Sequence, residues 1–470
     1  MNTTEYKDDA NMNRPWITKD GSGKPVILPQ VLYMAMKAER NILVTDEGNL
    51  YIYNEGCYKP LRDNELIALI KDNLPVTLRN RRHWEAVRDE FKTDHADVKE
   101  DDFDDDENIV PFENGVLNLQ DMKLYAHDPK YLVTRKVNAN YLEDVTLDEA
   151  PRFKQYLVDL VDEVDNTSSC LLEFFGLALS NVKAWRTKKL LLLVGVGNSG
   201  KTVFRQLLIN ILGEENTISI ELKRIQDRFG TAPLHRKRLA GSGDMEYVTL
   251  EDVNILKSLV GGDTLFAEKK FENPFSFRYN GALMFNANRK PYFRGDRGKH
   301  VYSRFMIVEC FKEVPESKRD PHLLDKLMEE KDVIASVAMT YLKGLVESDY
   351  QYTESETMQI ARELYVIENN SLFTFVKECC TLRDGSTRRS RFNEAYNKWC
   401  KANHVQSERA REIGKQLEEQ FGIVAEKKHG IYCYNLAIKT DAMDDIEVDP
   451  YAVDEATKET FNKINLRLQK

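Results

Sequence analysis

The apolar run Leu190-Leu191-Leu192-Leu193-Val194 leads without a break into Gly195-Val196-Gly197-Asn198-Ser199-Gly200-Lys201-Thr202. An apolar run of this length reads as a buried strand. The loop behind it has the form G-x-x-x-x-G-K-[ST], which is a phosphate cradle opening a helix. Gly195, Gly197 and Gly200 let backbone N–H groups converge on phosphate oxygens, with Asn198 and Ser199 between them. Lys201 is placed to reach the β and γ phosphates, and Thr202 to offer its hydroxyl to Mg²⁺. The helix from Val203 to Leu212 points its positive end at the anion. The ligand class is therefore a nucleotide, with ATP and Mg²⁺ as the expected cofactors.

The chain has 470 residues, enough for two to four domains, and 42% of them are hydrophobic. No stretch approaches the roughly 18 apolar residues of a membrane span, so no membrane partner is expected. The start, MNTTEYKDDANMNRPW, is polar and lacks the apolar core of a secretory signal. Seven cysteines without a C-x-x-C pair argue against a zinc site and for reduced thiols in a cytoplasm. The formal net charge is −10, but distribution matters more than the total. The segment 99–107, KEDDFDDDE, supplies much of the acid and reads as a solvated loop. Basic residues gather at Arg79, Arg81 and Arg82, at Lys188 and Lys189, at Arg388, Arg389 and Arg391, and at Lys427 and Lys428.

Residues 1 to about 25 read as a flexible lead within a mixed α+β N-terminal region, 1–105, whose acidic loop covers 94–107. The Asn114-Gly115 pair between two apolar runs marks a turn. From Pro151 to about 182 apolar residues recur at helical spacing, closing a segment at 106–185. Strands and helices then alternate over 186–345, as in an α/β nucleotide-binding core, and residues 320–368 read as helical and charged. The unit 370–440 reads as helices at 372–380, 391–402 and 407–421, then two strands around Lys427-Lys428-His429-Gly430, which is a winged-helix pattern. The tail 441–470 is acidic.

A phosphate cradle needs an acidic strand end for Mg²⁺ and water. The segment 238–246 offers Asp244 and Glu246, which share a face if extended. One would join Thr202 at the Mg²⁺ and the other polarise the attacking water, and their order is open. A third strand, 281–288, ends in Asn288, with Asn286 as the alternative; an amide there can sense the γ-phosphate. Arg304 opens an apolar strand and suits an arginine that reaches a neighbouring subunit's nucleotide, with Arg297 as runner-up.

These features in this order resemble the superfamily 3 helicases, AAA+-like hexameric motors of small DNA viruses, plasmids and phages. The corresponding segments are the Walker A loop 195–202, Walker B strand 239–246, B′ segment about 255–278, motif C strand 281–288 and arginine finger 304. More narrowly the chain looks like the D5-type (P4-type) primase–helicase C-terminal region. The residues carrying that are Asn114-Gly115-Val116-Leu117, Asp128-Pro129 and the helical run Pro151–Phe175.

The resemblance implies an AAA+-like P-loop motor flanked by the N-terminal region and a winged helix, without a primase domain. It implies an ATP-dependent DNA helicase of a phage, plasmid or mobile element, moving 3′ to 5′. It further implies a homo-hexamer, replication partner proteins and a bacterial host's cytoplasm. It places Lys270-Phe271, beside Lys269, at the tip of a hairpin that grips DNA. Beyond the motor, Arg409, Arg411 and Lys415 on the helix at 407–420 and Lys427 and Lys428 on the wing are candidate DNA contacts.

Overall fold

The computed structural model describes residues 14–161, 166–245, 249–250, 253–293, 299–402, 405, 407–428 and 430–439. The acidic tail 441–470 lies outside them, as do Glu246, Arg297 and His429.

The expected flexible lead is ordered from residue 14 onward. Ile17–Lys19 pairs antiparallel with Pro25–Ile27. Asp20 closes the turn by accepting from the backbone N–H of Ser22 and Lys24, and Trp16 is buried with its indole N–H on the Asn73 carbonyl. A helix Pro29–Arg40, a three-stranded antiparallel sheet and helices Asp63–Asp72 and Arg81–Thr93 follow. The predicted Asn-Gly turn joins Ile109–Phe112 to Gly115–Asn118. Glycine is required there, because a Cβ on Gly115 would press into the Tyr125 carbonyl and the Leu124 side chain.

The acidic segment is solvated only in part. Glu100 is buried and accepts from Tyr51, and it pairs with Arg236 at 3.0 Å. Asp104 pairs with Arg135 at 2.9 Å, Asp105 with Lys183 at 2.7 Å and Glu107 with Arg186 at 2.7 Å. The carboxylates therefore clasp residues 183–186 at the entrance to the nucleotide-binding core and Arg236 within it. Like charges in a row would repel, but four of the seven acids have a basic partner, and Asp101, Asp102 and Asp106 are exposed to water.

Burial raises the Glu107 pKa, but the Arg186 guanidinium and the Lys183 N–H and charge outweigh it and leave the carboxyl below its ordinary range. Its contribution is thus complete above the unfolded value, about 4.3, and is lost as pH falls through the lower folded value. Glu107→Gln is expected to cost about 1–3 kcal/mol. Thermal unfolding and proteolysis of the N-terminal region should show the change at pH 7 and less of it near pH 3.

The core begins with two helices, α1 (Pro151–Val161) and α2 (Thr167–Leu179). The strand β1 (Leu190–Gly195) leads to α3 (Lys201–Leu212), β2 (Thr217–Ser219), β3 (Leu239–Gly241) and α4 (Asn254–Gly261). A hairpin, Thr264–Ala267 with Phe275–Arg278, precedes β4 (Ala282–Ala287) and β5 (Phe305–Cys310). The strands form one parallel sheet in the order β2-β3-β4-β1-β5. All six residues of β1 are buried, as its unbroken apolar run requires of a strand covered on both faces.

One face carries α1, α2, α3 and α5 (Lys331–Glu347), and the other carries α4, the hairpin root and helix Glu356–Glu368. The helix α5, expected only as charged, buries Ile334, Ala338, Leu342 and Leu345. Chain order reverses direction at β1, whose neighbours are β4 and β5. Ligands of parallel sheets sit beyond the strand C-termini at such a point.

The last unit contains α6 (Ser371–Cys379), β6 (Cys380–Arg388), α7 (Arg389–Ala402), α8 (Ala410–Phe421), β7 (Glu426–Lys428) and β8 (Ile431–Ile438). Its antiparallel sheet has the order β6-β8-β7. The three helices and the terminal hairpin lie where the periodicity put them, within two or three residues. The strand β6 was not anticipated, because CTLRDGSTR is polar and mostly exposed. Phe375, Phe392, Tyr396 and Tyr434 form the unit's own core.

Candidate functional site

The loop after β1 is shaped by backbone requirements that the motif satisfies. A Cβ on Gly195 would collide with the Cys310 carbonyl of β5. Asn198 is left-handed at φ 58°, and Gly200 caps α3 at φ 97°. Gly197 differs, because a Cβ there would meet nothing within 4 Å, so neighbouring protein atoms do not demand glycine at that position. Lys201 is buried inside the loop. Its Nζ donates to the Gly195 carbonyl at 2.9 Å, the Val196 carbonyl at 2.6 Å and Ser199 Oγ at 3.2 Å. Burial lowers its pKa, opposed by the nearby Cys310 and the Asp244 carboxylate. Thr202 is exposed on the first turn of α3, and Val203 is half-buried behind it.

The strand β3 stops at Gly241, earlier than the expected 246. Glycine lets the chain pass against Met284, where a Cβ would collide with its carbonyl. The path then continues beside β4: Asn286 N–H donates to the Ser242 carbonyl at 2.9 Å and Met245 N–H to the Asn286 carbonyl at 2.8 Å. Asp244 is thereby held, exposed, at the same end of the sheet as the loop.

The two asparagines behave differently. Asn286 is 0% exposed, and its Nδ2 donates to the Lys201 carbonyl at 2.9 Å, tying β4 to the first turn of α3. Asn288 lies past the end of β4 and is exposed. The choice of Asn288 as the sensing amide is compatible with that exposure, while Asn286 is a strut whose second atom, Oδ1, is buried without an acceptor role among the described residues.

Arg304 is not near this loop. It precedes β5, whose first residue pairs with Leu190 at the start of β1 and whose last pairs with Gly195. Five steps at about 3.3 Å put roughly 17 Å of sheet between them. Arg304 instead lies by α4, where its Nη1 would be 3.9 Å from a Cβ on Gly261.

The hairpin emerges from this same end of the sheet. Lys269, Lys270 and Phe271 form its turn, and Phe271 is 98% exposed. Lys269 Nζ lies 5.3 Å from the Phe275 ring centre, and Lys270 Nζ lies 5.8 Å from that of Phe271. Two more exposed rings had been missed. Phe266 is 63% exposed on the hairpin strand. Phe229 sits on a loop stitched to that strand by Arg228–Glu268 at 2.6 Å and Thr231 Oγ1 to the Phe266 carbonyl at 3.0 Å. The Asp227-Arg228-Phe229 triplet was the available signal. Arg205 was missed as well: one turn after Lys201, it donates to the Gly241 carbonyl at 3.1 Å and holds the end of β3 against α3.

In the last unit, Arg411 and Lys415 are exposed on α8, and Lys427 and Lys428 on β7. Arg409 is the residue preceding α8 rather than part of it. The basic half of α8 is its N-terminal half; Glu418 and Glu419 follow, with Lys415 Nζ 3.7 Å from Glu419.

Comparison with known proteins bears on both halves of the chain. A family model described as D5 N terminal like matches residues 36–162. Residues 36–162 are thus similar to a D5 N-terminal region. The matched span starts inside the segment expected as 1–105 and ends after α1, which agrees with the acidic clasp running through it. A family of unknown function (DUF5906) matches 193–304, from the cradle to Arg304. The A-form apo structure of the NrS-1 C-terminal region is 12% identical, covers 86% of this chain and 98% of that one, and superposes with a TM-score of 0.50. Another apo structure of the NrS-1 C-terminal region is 14% identical over 87% and 99%, with a TM-score of 0.48. At that identity the first likeness speaks for a shared fold. Among the described residues no helix is long and apolar enough to cross a membrane.

Proposed function

We propose that this chain is an ATP-dependent DNA helicase of the superfamily 3 type, assembled as a ring and serving replication of a phage, plasmid or mobile element. The observation that carries the reading is a division of labour in the sheet. The cradle, Thr202 and Asp244 gather at its C-terminal end, while Arg304 and an exposed aromatic-basic hairpin gather at the other. A single-subunit kinase needs its cations around one site; a ring motor needs them split between two faces.

The residues fit a nucleotide. Lys201 rests on the loop's own carbonyls, ready to exchange them for phosphate oxygens, and Gly197 leaves the loop open to close approach. Thr202 and Asp244 would hold Mg²⁺, which neutralises charge developing on the transferred phosphate. Asp244, with Glu246 beside it in sequence, supplies carboxylates to orient water, and Asn288 supplies an exposed amide.

DNA enters the argument through Lys269, Lys270 and Phe271, with Phe229 and Phe266 as further rings. Lysines take backbone phosphate, and rings stack on bases with little sequence preference. The C-terminal unit, read as a winged helix, would set the first half of α8 in a major groove, with Lys427 and Lys428 on the flanking backbone. Acid bound up in the clasp accounts for part of the net charge without lying on a DNA path. The match of residues 36–162 to a D5 N terminal like model is in keeping with the D5-type resemblance, on which the place in replication rests.

Strand displacement on a forked duplex tests the reading. The protein should unwind it with ATP and not with a non-hydrolysable analogue; ATP hydrolysis without unwinding under any loading condition would falsify the motor. Lys270→Ala is expected to keep basal hydrolysis within about twofold while unwinding drops at least about tenfold, since one phosphate contact and its neighbouring ring carry the grip. Unchanged unwinding removes the hairpin from the mechanism.

A further inference from the structure

The D5-N-terminal-like region ends on α1, and α1 touches the cradle. Tyr156, buried on that helix, donates its hydroxyl to the Gly200 carbonyl at 3.0 Å. The same carbonyl accepts the N–H of Val203 at 2.9 Å and of Phe204 at 3.2 Å, so it is the point where α3 begins. Burial raises the Tyr156 pKa well above its ordinary value, which keeps the phenol protonated and donating.

The ring matters as much as the hydroxyl. A Cβ on Gly200 would sit 3.3 Å from Tyr156 Cε2 and 3.5 Å from Leu160 Cδ1. Tyr156 and Leu160, one turn apart, thus form a floor beneath the left-handed glycine. Tyr156 is itself backed by Phe153, centroids 6.2 Å apart, Phe153 by Phe175, and Phe175 by Phe204 of α3 at 5.7 Å. On the loop's other flank, Val314 N–H donates to the Asn198 carbonyl at 3.1 Å. A glycine-rich loop has many conformations to lose on binding an anion; one gripped at Gly200 and Asn198 has lost part of that freedom already.

We propose that Tyr156 is a positioning residue for the nucleotide, through which the region before the motor presets the phosphate loop. The D5-like region is then a structural wall of the nucleotide site. The inference rests on the ATPase reading given above. It deepens that reading by assigning part of the site to residues outside the 186–345 core.

The test compares Tyr156→Phe, which removes only the hydroxyl, with Tyr156→Leu, which also removes the ring. Tyr156→Phe is expected to raise KM for ATP about 3- to 10-fold, the worth of one net hydrogen bond, to leave kcat unchanged and to lower the nucleotide-free unfolding temperature by no more than about 2–4 °C. Tyr156→Leu should raise KM further. An unchanged KM in Tyr156→Phe overturns the proposal. So does a fall in kcat and unfolding temperature at constant KM, which marks a merely structural role. A wild-type protein that neither binds nor hydrolyses ATP brings down the ATPase reading itself. Wild-type hydrolysis with an indifferent Tyr156→Phe brings down only this one.

Discussion

Lys201→Ala is expected to lower ATP hydrolysis at least about 100-fold while leaving the fold and its thermal stability intact. The reason lies in what Lys201 holds. Among the described residues its ammonium is the only cation on the loop carbonyls of Gly195 and Val196 and on Ser199. Removing a preorganised charge from the site of a developing phosphate charge costs about two to three orders of magnitude in rate. Stability should survive for a different reason. Val196 is exposed, so water can reach the loop that the ammonium leaves, and α3 keeps its anchors to Tyr156 and Asn286. Steady-state hydrolysis and a melting curve on the same sample decide it. Retained hydrolysis would move the chemistry away from this loop, and a collapsed melting curve would make Lys201 a structural residue.

That loop was the most legible part of the chain because its signal is local. Six buried residues, three glycines and a helix start stand in one uninterrupted stretch, and each position has a backbone reason visible in the sequence. The Asn114-Gly115 turn was legible in the same way, whereas the hairpin turn at Lys270-Phe271 was expected only from the resemblance. Long-range features were not. The acids at 99–107 look solvated in a row, and nothing adjacent reveals Arg135, Lys183, Arg186 and Arg236 as their partners. The strand β6 hides because its exposed residues carry no period-2 apolar pattern. Helix α5 looked charged because its ends are, while its middle packs on α2. Asn286 and Asn288 differ by one strand repeat, and only the register with Lys201 separates a buried strut from an exposed amide. Tyr156 lies within the helical run that opens at Pro151, where a ring at that spacing marks a core position and gives no sign of what its hydroxyl meets.

Arg304→Ala should give the second large effect: nucleotide still binds, and hydrolysis falls about 10³-fold. Within one subunit this would make no sense. Arg304 stands at the start of β5 and Gly195 opposite its end, so about 17 Å of sheet separates the guanidinium from its own cradle. The side chain has no carboxylate partner among the described residues, and its buried Nε finds no acceptor there. An arginine so placed can act on phosphate only across an interface, where the start of one sheet meets the end of the next. A head-to-tail ring supplies that arrangement. Mixing Arg304→Ala with Lys201→Ala subunits therefore has a defined outcome. Neither variant hydrolyses ATP alone, yet roughly a quarter of random head-to-tail interfaces would join an intact Lys201 to an intact Arg304. Because α4 beside Arg304 runs straight into the hairpin, each restored interface should also restore some unwinding. Hydrolysis that stays flat across all mixing ratios, with mixed assemblies demonstrated, would place Arg304 in the framework of the sheet and leave the cradle without its second cation.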